Sequence, residues 1–253
     1  MMKLSAVIIT KNEAANILRC LASLSFADEI VVVDSGSEDE TMKLCREAGC
    51  KVIETEWLGF GNTKRLAVDS ASNKWIFSID ADEVVSPELA ERIRELLKSE
   101  PDSNGYRIKR LSRYLGKIIR HCGWDRDFPL RLFNREHGNF NSKPVHESVQ
   151  ITGKPSKIFE PLHHYTYPTL ASHIEKINRY TSISAAEAVR KGKRCSIGAA
   201  LVRGATKFLK MYVPQKGYLD GYHGFLLSFV SGFGVCLKYL KINTLSRSKE
   251  HKQ

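Results

Sequence analysis

Asp80 and Asp82, two residues apart and followed by Glu83, close the apolar run Trp75-Ile76-Phe77-Ser78-Ile79. Carboxylates at that spacing on a strand end can meet one hard cation. Mg2+ or Mn2+ suits them, because both prefer oxygen ligands and keep waters and substrate phosphates in their shell. Such a cation neutralises charge that develops on a diphosphate leaving group. The same residues also describe a solvated acidic turn ahead of a helix, where acids are favoured by the helix dipole. What separates the two readings is the company the pair keeps. The polar clusters Thr10-Lys11-Asn12-Glu13 and Asp34-Ser35-Gly36-Ser37 stand at the ends of two other apolar runs.

The elements that must position these clusters alternate over the first hundred residues. Leu4 to Ile9, Ile30 to Val33, Lys51 to Thr55 and Trp75 to Ile79 read as short buried strands, rich in β-branched residues. Ala14 to Leu24, Glu38 to Ala48 and Asn62 to Ala71 have helical spacing between them. Ser86 reads as an N-cap, with Pro87 at the first helical position and Glu88 in the first turn, of a helix reaching about Lys98. Strands alternating with helices predict an α/β fold with a mostly parallel sheet flanked by helices. In such sheets ligands bind at the carboxyl ends of the strands, where all three clusters fall. From Gly105 to Ile151 the pattern changes to shorter strands and turns, and from Pro168 onward it is helical.

Composition is that of a soluble globular chain, 42% hydrophobic and 26% charged over 253 residues. The six cysteines form no C-x-x-C pair and no zinc-finger spacing, which predicts free thiols in a reducing cytoplasm. The opening Met1-Met2-Lys3 runs into a strand-like stretch rather than a signal peptide. The net charge of +11 resides entirely from Arg190 onward, the preceding residues being balanced. A basic tail suits nucleic acid, anionic lipid or an anionic substrate. The chain has no helix-turn-helix, zinc or RNP-type signature, so a nucleic-acid partner is not expected.

The segments Ser5 to Glu13, Glu29 to Ser37 with Asp39 and Thr41, and Trp75 to Glu83 resemble, in order and spacing, the family 2 glycosyltransferases of the GT-A fold. Arg131-Leu132-Phe133-Asn134-Arg135, Gly138, Phe140, Val145-His146-Glu147 and Gly217 to Phe225 resemble the subgroup that includes lipopolysaccharide-core β-1,4-glucosyltransferases. The resemblance covers nearly the whole chain. It implies a catalytic domain over residues 1–165, with a nucleotide-binding half (1–100) and an acceptor half (101–165). A helical, basic, membrane-associating region follows over 166–253.

The resemblance also implies roles. Thr10, Lys11, Asn12 and Glu13 map to the nucleobase contact, and Asp34 to the acid that binds uracil or ribose. Lys64 and Arg65 lie where the family places a nucleotide-contacting helix start. Asp82 maps to the metal ligand, and Asp80 to the ribose or the metal's waters. The family is inverting: an acceptor hydroxyl attacks the anomeric carbon opposite the leaving nucleotide, and Glu147 maps to the carboxylate that takes its proton. Arg131 and Arg135 are candidates to clamp the diphosphate, since a guanidinium matches phosphate geometry. Trp124, Asp125 and His146 are candidates for the sugar or acceptor pocket. His163 and His164 lack a third ligand at metal spacing and are expected to be structural.

The implied reaction moves a hexose, glucose from UDP-glucose, onto a lipid-linked lipopolysaccharide inner-core saccharide. It takes place on the cytoplasmic side, peripheral to the inner membrane. Another sugar, or a peptide or exopolysaccharide acceptor, is the alternative within the class. A catalytically inactive scaffold or a basic nucleic-acid-binding protein is the alternative outside it. Leu226 to Leu237 is apolar but shorter than the roughly 18–20 residues of a spanning helix. With its flanking lysines and tyrosines it reads as an interfacial segment on an anionic membrane surface.

Overall fold

The computed structural model describes residues 2–141 and 147–250, with backbone alone for 249 and 250. By internal contacts the chain forms two compact units, Met1–Arg110 with Asp127–His164, and Leu111–Arg126 with Tyr165–Gln253.

The first unit opens with β1 (Leu4–Thr10), α1 (Ala14–Ala22), β2 (Glu29–Asp34), α2 (Thr41–Glu47), β3 (Lys51–Glu54), α3 (Phe60–Asp69) and β4 (Trp75–Asp80). It continues through β5 (Glu83–Val85), α4 (Pro87–Leu96) and β6 (Gly105–Tyr114), and after β7 (Lys117–Ile118) returns as β8 (Leu130–Asn134), β9 (Gly138–Phe140), β10 (Val149–Ile151) and β11 (Ser156–Tyr167). A nine-stranded sheet has the order β3-β2-β1-β4-β8-β6-β11-β5, with β7 on β6, while β9 and β10 make a separate hairpin. The expected parallel portion is β3-β2-β1-β4. Beyond β4 the pairings of β8 with β4 and β6, and of β11 with β5, are antiparallel, so the sheet is mixed.

Alternation of side chains across the pleat explains why the central strands are apolar throughout. Leu4, Ala6 and Ile8 of β1 and Phe77 and Ile79 of β4 face one layer, with Ile17 and Leu21 of α1 and Leu89 and Ile93 of α4. Val7 and Ile76 face the other layer, with Val31, Val33 and the α3 residues Ala67 and Val68. Each such fully buried Val, Ile or Phe contributes about 1.5–3 kcal/mol. The predicted start of α4 is as read: Ser86 Oγ accepts from Leu89 N at 3.1 Å, with Pro87 at the first turn.

The second unit holds α5 (Leu170–Arg190), α6 (Ile197–Tyr212) and α7 (Gly221–Glu250). Gly224, Ser228, Gly232 and Cys236 recur every fourth residue of α7. A Cβ on Gly232 would stand 2.8 Å from the Gly204 carbonyl of α6, so these two helices touch through backbone. The segment Gly217–Phe225 has a structural explanation. Asp220 is buried, and its carboxylate accepts from the backbone N–H of Arg120 (3.3 Å) and His121 (2.8 Å). The apolar stretch expected to be short belongs to a longer helix: Gly217–Ser248 is long and apolar enough, by length and composition, to cross a membrane.

His173 is a buried titratable group of this unit. Its Nδ1 lies 3.1 Å from the Tyr114 hydroxyl, and its ring stacks on Tyr167 at 4.0 Å. Burial, helped by the Lys176 charge, lowers its pKa from 6.5 to about 4. The unfolded chain therefore binds a proton that the folded chain refuses between pH 6.5 and about 4. Stability is full above that window and falls as pH drops through it. Thermal melts at pH 7 and pH 4.5 should show this loss in the wild type and a smaller one in His173→Gln.

Candidate active site

The first two polar clusters form one interlocked platform at the carboxyl ends of β1 and β2. Asn12 takes a left-handed backbone (φ 56°), which asparagine tolerates. In that conformation its N–H donates to Ser37 Oγ (2.8 Å), and its Oδ1 accepts from Glu38 N (2.8 Å). Glu13 N donates to Thr41 Oγ1 at 2.8 Å, and Ala14 N to Asp39 Oδ2 at 3.1 Å. Gly36 supplies the positive φ (84°) that the turn after β2 requires.

Asp34 holds this platform together. Its Oδ1 accepts from Gly36 N (3.0 Å) and Ser37 N (2.7 Å), and its Oδ2 from Thr10 Oγ1 (2.9 Å) and Ser37 Oγ (2.5 Å). A carboxylate offers about four acceptor sites. Asp34 is fully buried with all of them in use. The residue expected to contact the nucleotide thus also ties the two loops together, with Thr10 as one of its donors. Lys11 is exposed beside the platform.

At the end of β4 the carboxylates sit within an alternating chain of charges. Asp127 pairs with Arg110 (2.7 Å), and Arg110 with Glu83 (3.0 Å). Glu83 pairs with Arg131 (2.6 Å), and Arg131 with Asp80 (2.5 Å). Asp80 pairs with Lys64 (2.9 Å), and Lys64 with Glu147 (3.1 Å). Glu83 has no solvent exposure, and its second oxygen accepts from Asp80 N at 3.0 Å, closing the turn between the aspartates. Burial would raise the Asp80 carboxyl, but Arg131 and then Lys64 outweigh it and hold the group well below the usual carboxylate range. Lys64 is buried on α3 and reaches both Asp80 and Glu147, so α3, β4 and the segment after β9 converge on its ammonium.

Asp82 faces a different partner. Antiparallel pairing sets His164 opposite Glu83, and His164 Nε2 comes 3.2 Å from Asp82 Oδ2. Among the described residues no group of three or more His, Cys, Asp or Glu side chains forms a metal cage. A carboxylate beside an imidazole fits a divalent ion whose remaining positions go to water and substrate phosphate. His164, expected to be structural, thus joins the aspartates.

Several expected residues lie elsewhere. Arg135 follows the far end of β8, because Asn134 pairs with Trp75 at the start of β4, roughly 17 Å along the strand from Asp80. Its guanidinium donates to the carbonyls of Val68 and Ala71 at the end of α3, so it caps a helix and clamps no ligand at Asp80. Trp124 and Asp125 belong to the second unit, where Trp124 packs edge-on against Tyr114 and Asp125 is exposed. Arg65 is exposed on α3. His146 lies outside the described residues. Arg110 carried no sequence signal as a site residue, and Glu83, visible beside the aspartates, read as a helix-start acid: their pairing spans 27 positions and depends on which strands become neighbours.

Comparisons with known proteins agree with this geometry. Residues 5–145 match the family model described as Glycosyl transferase family 2. An uncharacterised glycosyltransferase of Rickettsia prowazekii is 30% identical over 99% of this chain and 90% of its own length. The lipopolysaccharide core biosynthesis glycosyltransferase LpsC of Rhizobium meliloti is 30% identical over 94% of this chain and 91% of its own. A solved mannosyltransferase from Pyrobaculum calidifontis, in complex with GDP-Man and Mn2+, has the same fold at a TM-score of 0.55. It is 17% identical, with 95% of this chain and 87% of that one covered.

Proposed function

The chain belongs to glycosyl transferase family 2, with a GT-A-like α/β fold, and from that premise we propose that it transfers a hexose from a nucleotide-sugar to a lipopolysaccharide inner-core acceptor. The observation that carries the reading is the convergence of Asp80, Asp82, Lys64, Arg131 and Glu147 with His164 around the carboxyl end of β4. LpsC supports the acceptor class, and the mannosyltransferase complex supports a nucleotide-sugar with a divalent ion. UDP-glucose as donor, residues 1–100 as its binding half, residues 101–165 as the acceptor half, and a cytoplasmic site peripheral to the inner membrane rest on family resemblance.

In this proposal Asp82 and His164 hold Mg2+ or Mn2+. When bound, the ion neutralises negative charge on the leaving diphosphate. Asp80 keeps acceptor capacity for ribose hydroxyls, since each of its oxygens has a single cation partner. Lys64 is the cation that Asp80 and Glu147 share. A diphosphate competes for its ammonium, and drawing Lys64 toward phosphate releases Glu147 from its ion pair. Glu147 then accepts the proton of the acceptor hydroxyl as that oxygen bonds to the anomeric carbon and the nucleoside diphosphate departs. The platform of Thr10, Asn12, Glu13 and Asp34 shapes the nucleoside end, with Lys11 and Arg65 as its exposed cations.

The test is donor hydrolysis and binding across UDP-, GDP- and ADP-sugars, with Mn2+, Mg2+ or chelator. One donor should turn over with metal. Asp82→Ala should lower that turnover by at least the roughly 10–100-fold that losing a metal's supporting partner costs. Binding of no nucleotide-sugar under any condition overturns the transferase reading and favours a scaffold.

A further inference from the structure

The second unit leaves a large apolar surface uncovered. Tyr222, Phe225, Phe229 and Phe233 recur every three or four residues of α7, on one face. Tyr222 is 68% and Phe229 54% exposed. Ring contacts carry this stripe across to α6: Phe225 lies 5.9 Å from Phe208 and 5.8 Å from Tyr212, and Tyr212 lies 6.3 Å from Tyr218. On α6, Leu201 and Leu209 are exposed as well, and so is Val213 just after it. Scattered exposed apolar residues are ordinary, but a contiguous aromatic patch over two helices marks a surface that something covers.

Charge identifies the covering. At 100° per residue, Arg203, Lys207 and Lys210 fall on the side of α6 away from Leu201 and Leu209, and Lys216 stands in the turn between the helices. The stretch from Arg190 onward carries the entire +11. Two copies, each carrying that excess, repel one another as whole bodies. An anionic lipid surface takes the aromatics, with Lys216 in the turn beside Tyr218 and the net positive charge of this stretch drawing it to the headgroups.

Geometry separates lying in the surface from crossing it. The aromatic face of α7 runs from Gly221 to Phe233, about 20 Å at the helical rise, against a hydrocarbon core of about 30 Å. Beyond it the helix is tied down. Lys241 Nζ donates to Asn178 Oδ1 (2.7 Å), Thr181 Oγ1 (2.9 Å) and Ser182 Oγ (2.8 Å) of α5.

We infer that the α6–α7 hairpin is an in-plane membrane anchor whose aromatic stripe inserts among anionic lipid headgroups, without α7 spanning the bilayer. This deepens the membrane-surface reading of the acceptor and rests on it.

The test is sedimentation of the full chain with phosphatidylethanolamine–phosphatidylglycerol vesicles and with phosphatidylcholine vesicles. Donor hydrolysis is measured on the same samples. Wild type should pellet with the anionic vesicles. The variant Tyr222→Ser/Phe229→Ser/Phe233→Ser should lose at least tenfold in partitioning while hydrolysing donor at the wild-type rate. Lys210→Glu/Lys216→Glu should lose the preference for anionic lipid. Equal partitioning of the serine variant and wild type overturns the proposal. So does wild type that stays in the supernatant, including as a dimer that the serine variant dissociates. Vesicle binding by a chain that neither hydrolyses nor binds any nucleotide-sugar leaves the anchor standing and removes the transferase reading.

Discussion

Glu147→Gln is expected to lower kcat by ~10²–10⁴-fold, the range over which a positioned general base contributes. Glutamine keeps the size of the side chain and still accepts a hydrogen bond from Lys64, which also retains its 2.9 Å pair with Asp80. Donor affinity should therefore change by less than about threefold, because the lost interaction is one made in the transition state. The measurement is kcat and KM for donor and acceptor separately, with isothermal titration of the donor. Turnover near wild type would remove Glu147 from the role of base. A rise in KM alone would make it a binding residue. Lys64→Met gives the complementary result: it removes the cation that Asp80 and Glu147 share, so donor affinity falls as well as kcat.

The largest effect on stability is expected at Arg131. Arg131→Met leaves the fully buried Glu83 with Arg110 alone and Asp80 with Lys64 alone. Removing one partner from a buried ionic network costs about 3–5 kcal/mol, since the remaining charges stay desolvated. For a chain of this length that corresponds to a fall in Tm of roughly 10 °C. Arg131→Lys should lie between the two, because an ammonium lacks the fork that lets one guanidinium serve two carboxylates. The pH dependence has a definite sign. Asp80 is held below its ordinary range in the folded protein, so its contribution is complete above the unfolded carboxyl pKa of about 4. It disappears as pH falls through the lowered folded value. The gap between wild type and Arg131→Met should accordingly be full at pH 7 and narrow below about pH 4.

What could be read from the residues was local. The runs at β1, β2 and β4 are apolar because both faces of those strands are covered, and that pattern survives in the sequence without knowledge of neighbours. Ser86-Pro87 announced a helix start for the same reason. Strand direction was not local. The run Arg131 to Arg135 looked like one basic cluster, yet β8 runs antiparallel to β4, so Arg131 meets Asp80 while Arg135 caps α3 at the other end. Glu83 looked like a helix-start acid because its two arginines come from β6 and β8. Asp34 was visible as a special residue, but its partners, the hydroxyls and amides of Thr10, Gly36 and Ser37, were not, because they come together only when the ends of β1 and β2 lie side by side.

The discontinuity of the second unit bears on how such a chain can be inherited. Leu111–Arg126 lies in the middle of the sequence, yet its buried Tyr114, Ile119 and Cys122 share one apolar cluster with Met211 and Leu227 of the helical end. The hydrogen bonds from Arg120 and His121 to Asp220 tie the same two stretches. Recombination near residue 165 would therefore not exchange a self-sufficient tail. It would give Leu111–Arg126 a foreign set of packing partners, or strip it of any. A tail replaced without a matching Leu111–Arg126 would leave Tyr114, Ile119 and Cys122 without the partners that bury them.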